Sequence, residues 1–292
     1  MKTIKFNITG TTKVYGLIGK PISHTFSPLI HNTWFRDLGL NGVYIVFEVS
    51  RKNLKKAVEG MKALNIQGFN VTIPHKEAII KFLDKIDPLV ELIRAANTIK
   101  IENEQLIGKN TDVEGALKSI TDKKFDLSNK KALIVGAGGA ARAICFGIAS
   151  KVKKIVIVNR TVAKARKLAK ELTKKMKVDA IGKSLSKITF KDELKRTDLI
   201  INATPIGMYP NINETPIPKE FLNDSIFVFD LIYNPLETRL LKEASKIGCS
   251  VLGGIDMLIN QAALAFEWWN GKKPNINLIK NKLAFLKNDV RE

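Results

Sequence analysis

The chain has 292 residues, 45% hydrophobic and 26% charged, with a formal net charge of +20. That length favours two domains of ~100–200 residues; no apolar run approaches the ~20 residues of a membrane span, and the start MKTIKFNITG lacks the apolar region of a signal peptide. The lysines are spread along the chain with no long block and no interleaved aromatics, so the charge reads as compositional bias, or as a basic field for small anions, rather than as a specific nucleic-acid surface.

In chain order, residues 13–19 read as a buried strand ending in a turn. The loop Lys20 to Pro28 follows, crowded with hydroxyls, and Pro28 is placed to open a helix carrying Leu29, Ile30, Trp34 and Phe35. Hydroxyls just before a helix serve either as caps or as ligand contacts. Residues 43–49 form a second strand, 53–64 an amphipathic helix, and 66–73 a third strand. Pro74 is expected to start a helix containing His75, Lys76, Ala78, Ile79, Phe82 and Leu83. Residues 95–101 read as another strand, and Gly108 to Asp112 as a polar turn before a helix of about ten residues. This alternation predicts an α/β domain with a largely parallel sheet. The polar stretch 122–130 looks like a domain boundary.

Residues 132–135 are an apolar run that enters Gly136-Ala137-Gly138-Gly139-Ala140-Ala141, followed by an Ala-rich helix through Ile148 and a second apolar run, 155–158. Strand, glycine turn, helix and strand make one βαβ unit with a dinucleotide fingerprint. Gly136 permits the tight turn, Gly138 lets the backbone approach a pyrophosphate, and Ala141 lets helix and strand pack closely. The helix N-terminus offers free N–H groups to phosphate. An NAD-binding strand usually ends at an acidic residue for the ribose 2′-OH. Here the second strand ends at Asn159-Arg160-Thr161, with Lys164 and Arg166 beyond and no carboxylate. Cations suit a 2′-phosphate, so the residues point to NADP. A helix over 161–176, a strand from Asp198 into Asn202-Ala203-Thr204-Pro205, and an irregular Pro-rich stretch to 218 come next. A strand at 226–230, a helix opened by Asn234-Pro235 and running to Ile247, a short strand at 250–252 and helices near 255–269 and 275–287 end the chain.

The two cysteines, Cys145 and Cys249, have no metal spacing and no disulfide framework, which suits a reducing, cytoplasmic setting. The three histidines, including His24 and His75, fall into no ligand spacing and read as loop or packing residues; no metal site is expected. Trp268 and Trp269 read as packing residues.

Taken together, the polar segments resemble the shikimate dehydrogenase family over nearly the whole chain. The hydroxyl loop 23–28 resembles the family's own. N-V-T-x-P-x-K appears as Asn70 to Lys76, A-x-N-T as Ala95 to Thr98, and G-x-N-T-D as Gly108 to Asp112. G-A-G-G-A, N-R-T and N-A-T-P appear at 136–140, 159–161 and 202–205. D-x-x-Y-x-P-x-x-T appears as Asp230, Tyr233, Pro235 and Thr238, and the late glycines and Gln261 resemble the family's last substrate-facing helix.

The resemblance implies an α/β substrate domain, a Rossmann NADP domain and C-terminal helices returning to the first, with cofactor and substrate in the cleft. It sets the domains at 1–115 with 255–292, and 116–254. It implies reversible reduction of 3-dehydroshikimate to shikimate by NADPH, within chorismate and aromatic amino acid biosynthesis. Lys76 and Asp112 resemble the catalytic pair. Thr25 and Ser27 match the hydroxyls that hold the substrate carboxylate. Thr72, Asn97, Asp112, Tyr233 and Gln261 match groups that contact the ring hydroxyls or carboxylate. Gly136, Ala137, Gly138, Gly139, Ala140, Asn159, Arg160, Thr161, Lys164, Thr204, Leu231 and Gly254 match cofactor contacts. The family commonly has Ser where this chain has Thr25; the added methyl group bears on substrate choice, not on reaction class. Family members occur as monomers and homodimers.

A lysine suits the proton-donor role, because its ammonium both stabilises an oxyanion and gives up a proton. The nearest alternative is a broader quinate/shikimate dehydrogenase, often NAD-preferring, against which Asn159-Arg160-Thr161 argues. A non-catalytic NADP-binding module is a second alternative, against which the retention of Lys76 and Asp112 argues.

Overall fold

A computed structural model describes residues 8–23 and 25–289. His24 lies outside the described residues. The chain divides into two compact units, one up to Thr111 and again from Gln261, the other Asp112–Asn260. The polar stretch 122–130 joins α4 (Asp112–Asp122) to β7 (Lys131–Val135) inside the second unit.

The first unit holds β1 (Lys13–Gly19), β2 (Gly42–Glu48), β3 (Gly68–Val71), β4 (Lys85–Ile86), β5 (Thr98–Glu102) and β6 (Gln105–Lys109) in the order β2-β1-β3-β5-β6-β4. The sheet is mixed rather than largely parallel. β1 pairs in parallel with β2 and β3, but β5 runs antiparallel to both β3 and β6. The reason is local: the two-residue turn Asn103-Glu104, both at positive φ, folds β5 straight back as β6, so no crossover helix intervenes.

Helices α1 (Ser27–Asp37), α2 (Leu54–Ala63) and α3 (Pro88–Ile93) and the later part of α9 (Gly254–Asn270) belong to this unit, with α10 (Ile276–Asp289). One core cluster gathers Ile18, Val58, Phe69, Val71, Ile79 and Ile99. An aromatic cluster links the chain's two ends: Phe35 meets Phe266 at 4.9 Å and Tyr15 meets Trp269 at 5.3 Å between ring centroids. Gly68 leaves room for the Trp269 indole, whose Nε1–H donates to the Ile99 carbonyl at 2.9 Å. Burying such rings contributes ~1.5–3 kcal/mol each, and here a partner satisfies the indole N–H.

The helix expected from Pro74 is absent. Residues 74–77 form a turn, and a 3-10 helix follows at Ala78–Phe82. The Lys76 carbonyl accepts from Ala96 N–H at 2.9 Å, so it is taken by the neighbouring segment instead of a helical amide.

The second unit holds β7, β8 (Lys154–Asn159), β9 (Asp179–Ser184), β10 (Leu199–Asn202), β11 (Phe227–Asp230) and β12 (Ser250–Gly253). Their order is β12-β11-β10-β7-β8-β9, with every pairing parallel. This is the doubly wound Rossmann order, which reverses between β7 and β10. The central strands are apolar runs buried throughout, Ala132 to Val135 and Ile155 to Val158, as strands covered on both faces must be. Besides α4 and the start of α9, the unit's helices are α5 (Gly139–Ile148), α6 (Val162–Met176), α7 (Lys187–Glu193) and α8 (Arg239–Ile247). α8 begins later than Asn234, because Thr238 is its N-cap and accepts from Leu241 N–H at 3.3 Å. Among the described residues no helix is long and apolar enough to cross a membrane.

Candidate active site

In the first unit the polar side chains of the site gather at the ends of β3 and β5 and on α9. Asn70 on β3 is buried; its Oδ1 accepts from Tyr44 Oη at 2.8 Å, and its Nδ2 donates to the Asn97 carbonyl and to Thr98 Oγ1, each at 3.1 Å. Asn97 lies just before β5. Its Oδ1 accepts from Thr111 N–H at 2.7 Å, and its Nδ2 donates to Thr111 Oγ1 at 3.1 Å and Gln261 Oε1 at 3.3 Å. Asn97 and Gln261 are thus brought together, and Thr98 and Thr111, which sequence reasoning gave no role, complete the cluster with a 3.0 Å hydroxyl contact.

Thr72 follows β3 and is half-buried, its N–H donating to Ile18 O at 3.0 Å. Lys76 is half-buried, and its backbone is tied to Ala96, next to Asn97. Thr25 Oγ1 lies 3.1 Å from Ser27 Oγ and accepts from Ser27 N–H at 3.2 Å. The N-cap of α1 is Phe26, which makes no side-chain cap, so this hydroxyl pair is organised by its own turn. Asp112 follows Thr111 directly and begins the second unit as the buried first residue of α4.

His75 and His31 are buried; His75 Nε2 lies 2.7 Å from the Val49 carbonyl, whereas His31 stacks on Tyr44 at 4.2 Å. Burial among aromatic rings holds the His31 pKa down to about 3, so it packs as a neutral ring. Trp268 and Trp269 pack within the unit, Trp268 beneath the Lys109 ammonium at 4.8 Å. A separate hollow of about 870 Å³ opens at the opposite end of β1 and β3, beside Lys13, Gln67 and Trp269; none of the candidate site residues lines it.

In the second unit the glycine turn sits where the strand order reverses. Gly136 has φ +114°, and a Cβ there would meet the Ala203 carbonyl oxygen at 3.0 Å and Thr204 Cγ2 at 3.2 Å. Only glycine allows both that dihedral and that approach. Gly138 is the exposed N-cap of α5, and an added Cβ would meet nothing within 4 Å, leaving open space before the helix N-terminus. Ala137, Gly139 and Ala140 are each half-buried around it. This is the cradle a pyrophosphate requires.

At the end of β8, Asn159 Nδ2 donates to the Thr161 carbonyl at 3.0 Å, fixing the turn into α6. Arg160, Thr161 and Lys164 are exposed there. The residues present fit a dinucleotide with a 2′-phosphate. Leu231 and Gly254 also come together: Gly254 N–H donates to Ile232 O at 3.1 Å, and a Cβ on Gly254 would run into the Leu231 carbonyl. Tyr233 is half-buried on the same segment after β11.

Beneath these loops lies Asp230, fully buried. Its Oδ1 accepts from Asn202 Nδ2 at 3.0 Å and Ile232 N–H at 3.1 Å, and its Oδ2 from Thr238 Oγ1 at 2.7 Å. Desolvation pushes its pKa up to about 6 despite these donors. Asn202 Oδ1 in turn accepts from Thr204 N–H at 3.0 Å and Thr204 Oγ1 at 2.7 Å.

Three family models match the chain. The shikimate dehydrogenase substrate binding domain matches residues 17–99, shikimate / quinate 5-dehydrogenase matches 119–231, and the shikimate 5'-dehydrogenase C-terminal domain matches 254–283. Shikimate dehydrogenase (NADP(+)) of Methanocaldococcus jannaschii is 51% identical over 277 residues, 94% of this chain and 98% of that one. A crystal structure of a shikimate dehydrogenase in complex with NADP+ has a TM-score of 0.88 and 49% identity, covering 94% of this chain and 96% of that chain. The shikimate 5-dehydrogenase of Listeria monocytogenes, in complex with shikimate and NAD, has a TM-score of 0.86 and 39% identity, covering 94% and 98%.

Proposed function

The chain belongs to the shikimate dehydrogenase family, and on that premise we propose that it reduces 3-dehydroshikimate reversibly to shikimate with NADPH, as a step of aromatic amino acid biosynthesis. The observation that carries the cofactor choice is the glycine turn at the strand-order reversal, followed at the next strand's end by Arg160 and Lys164 with no carboxylate. When bound, the reduced nicotinamide supplies the hydride for the ring ketone.

The chain's own residues bind, orient and move the proton. Gly136 to Ala140 receive the pyrophosphate, with Thr204 beside them. Asn159, Arg160, Thr161 and Lys164 hold the 2′-phosphate and its ribose. Leu231 and Gly254 bound the nicotinamide end. Thr25 and Ser27 hold the substrate carboxylate, while Thr72, Asn97, Tyr233 and Gln261 contact the ring hydroxyls or the carboxylate. The Lys76 ammonium donates its proton to the developing alkoxide, and in the reverse direction the neutral amine takes it from the carbinol. Asp112 keeps the ammonium in place and accepts from a ring hydroxyl.

The working compartment is the cytoplasm, in keeping with two buried free thiols. Light scattering reads the assembly state directly, monomer or homodimer. The test of the reaction is absorbance at about 340 nm with NADP+ or NAD+ and shikimate or quinate in all four pairings. Rapid reduction with NADP+ and shikimate is expected. Comparable rates with quinate or NAD+ would replace this reading with the broader quinate/shikimate activity. No turnover in any pairing, with NADPH still bound, would leave a cofactor-binding module.

A further inference from the structure

The reaction leaves a buried carboxylate without a task. Asp230 lies at the end of β11, fully buried, and no cation is among the causes of its altered acidity. A carboxylate in such a place costs stability unless its donors are fixed. Its partners are not scattered. One arm runs through Asn202 to Thr204, since Asn202 donates to Asp230 at 3.0 Å and accepts twice from Thr204. Thr204 Oγ1 then accepts from Ile206 N–H at 3.2 Å, closing the loop after β10. Thr204 and Ala203 are the atoms against which Gly136 turns. The second arm is Ile232 N–H, which fixes the segment carrying Leu231 and Tyr233; Gly254 N–H is bonded to Ile232 O on that same segment. The third arm is Thr238, which also caps α8.

We infer that Asp230 is a positioning residue for the dinucleotide: one buried carboxylate sets the wall beneath the phosphate turn, through Asn202 and Thr204, together with the nicotinamide-side segment 231–233. The inference rests on the reading of this unit as the NADP site. A neutral apolar side chain would fill the space without aligning either arm. The three acceptor bonds use lone pairs on both carboxylate oxygens, so the geometry of the two loops is slaved to one rigid planar group. Misplacement of either loop by a fraction of an ångström reaches the cofactor and, for the second loop, Tyr233, but not the substrate contacts made by the first unit.

The test uses the full chain and NADPH, titrated by its own fluorescence. Asp230→Ala and Asn202→Ala are compared singly and together, with KM for shikimate and melting temperature measured alongside. The expected result is an NADPH Kd raised ~10-fold or more in each single variant, with KM for shikimate changed less than ~3-fold in Asn202→Ala, which leaves the Ile232 arm and Tyr233 in place. Because both variants break the same arm, the double variant should bind no more than ~3-fold worse than the weaker single one. Asp230→Asn keeps an acceptor for Asn202 and Ile232 and should regain most of the affinity lost in Asp230→Ala. A purely structural role would lower the melting temperature and move both substrates' constants together in Asn202→Ala, or give multiplying losses in the double variant; either result overturns the inference. Should Asp230→Ala fail to fold, Asn202→Ala decides alone, and wild-type NADPH affinity in it overturns the inference. A wild-type chain that fails to bind NADPH would instead sink the cofactor reading, and the inference with it.

Discussion

Replacing Asp230 by Asn should change how stability depends on pH, with a sign that burial dictates. The carboxyl's pKa is raised from an ordinary 3.8 to about 6, first by desolvation. The native protein therefore holds this proton more tightly than the unfolded chain does. Stability from this group is fully present below about pH 4 and is lost as pH rises through about 6. The shift of roughly two units corresponds to about 3 kcal/mol. Asparagine does not titrate, so the variant's stability relative to wild type should climb by about 3 kcal/mol between about pH 4 and pH 7. Urea unfolding followed by far-ultraviolet circular dichroism measures it. The chain's three tryptophans, Trp34, Trp268 and Trp269, all belong to the first unit, so their fluorescence supplies an internal control. A stability difference that is flat with pH, or that favours wild type as pH rises, would refute the reasoning.

Other substitutions address the site itself. Lys76→Ala should lower turnover by ~10²–10⁴ with NADPH binding retained, and near-normal turnover would remove Lys76 from the proton step. Arg160→Ala should weaken NADPH by ~10–100-fold, the worth of a lost charged hydrogen bond, while NADH binding barely moves; equal losses would mean that Arg160 does not read the 2′-phosphate. Gly136→Ala places a Cβ at φ +114° against Ala203. It should cost ~1–3 kcal/mol of stability and weaken NADPH binding, read by thermal unfolding with and without cofactor.

The second unit was more legible than the first because its signals are long and local. Ala132 to Val135 and Ile155 to Val158 are unbroken apolar runs, and the intervening glycines have one mechanical reading. What escaped was short or half-exposed. β9 is an edge strand, partly exposed along its length and without an apolar run, and α7 spans only seven residues. Asp87-Pro88 did carry a helix start, an N-cap accepting from Val90 N–H at 2.9 Å with proline behind it, yet α3 is too short for a period to emerge. Pro74 misled for the opposite reason: the helix-starting residue is present, but the Lys76 carbonyl is claimed by Ala96, a partner distant in sequence. At the site, Asn97 and Gln261 are far apart in the chain, and only the fold brings them to 3.3 Å. Thr111 and Asp230 lay inside recognisable segments, but their roles depend on which groups burial turns toward them.

The aromatic cluster of the first unit has a consequence for synthesis. Phe266 and Trp269, against which Phe35 and Tyr15 pack, are encoded after the whole of the second unit. On a ribosome adding ~5–20 residues per second, the first 111 residues would wait roughly ten to thirty seconds for their missing helix. The uninterrupted second unit is free to fold meanwhile. The amino-terminal unit would be finished last, and nascent chains would expose the uncovered aromatic rings of Tyr15 and Phe35 to chaperones for that interval.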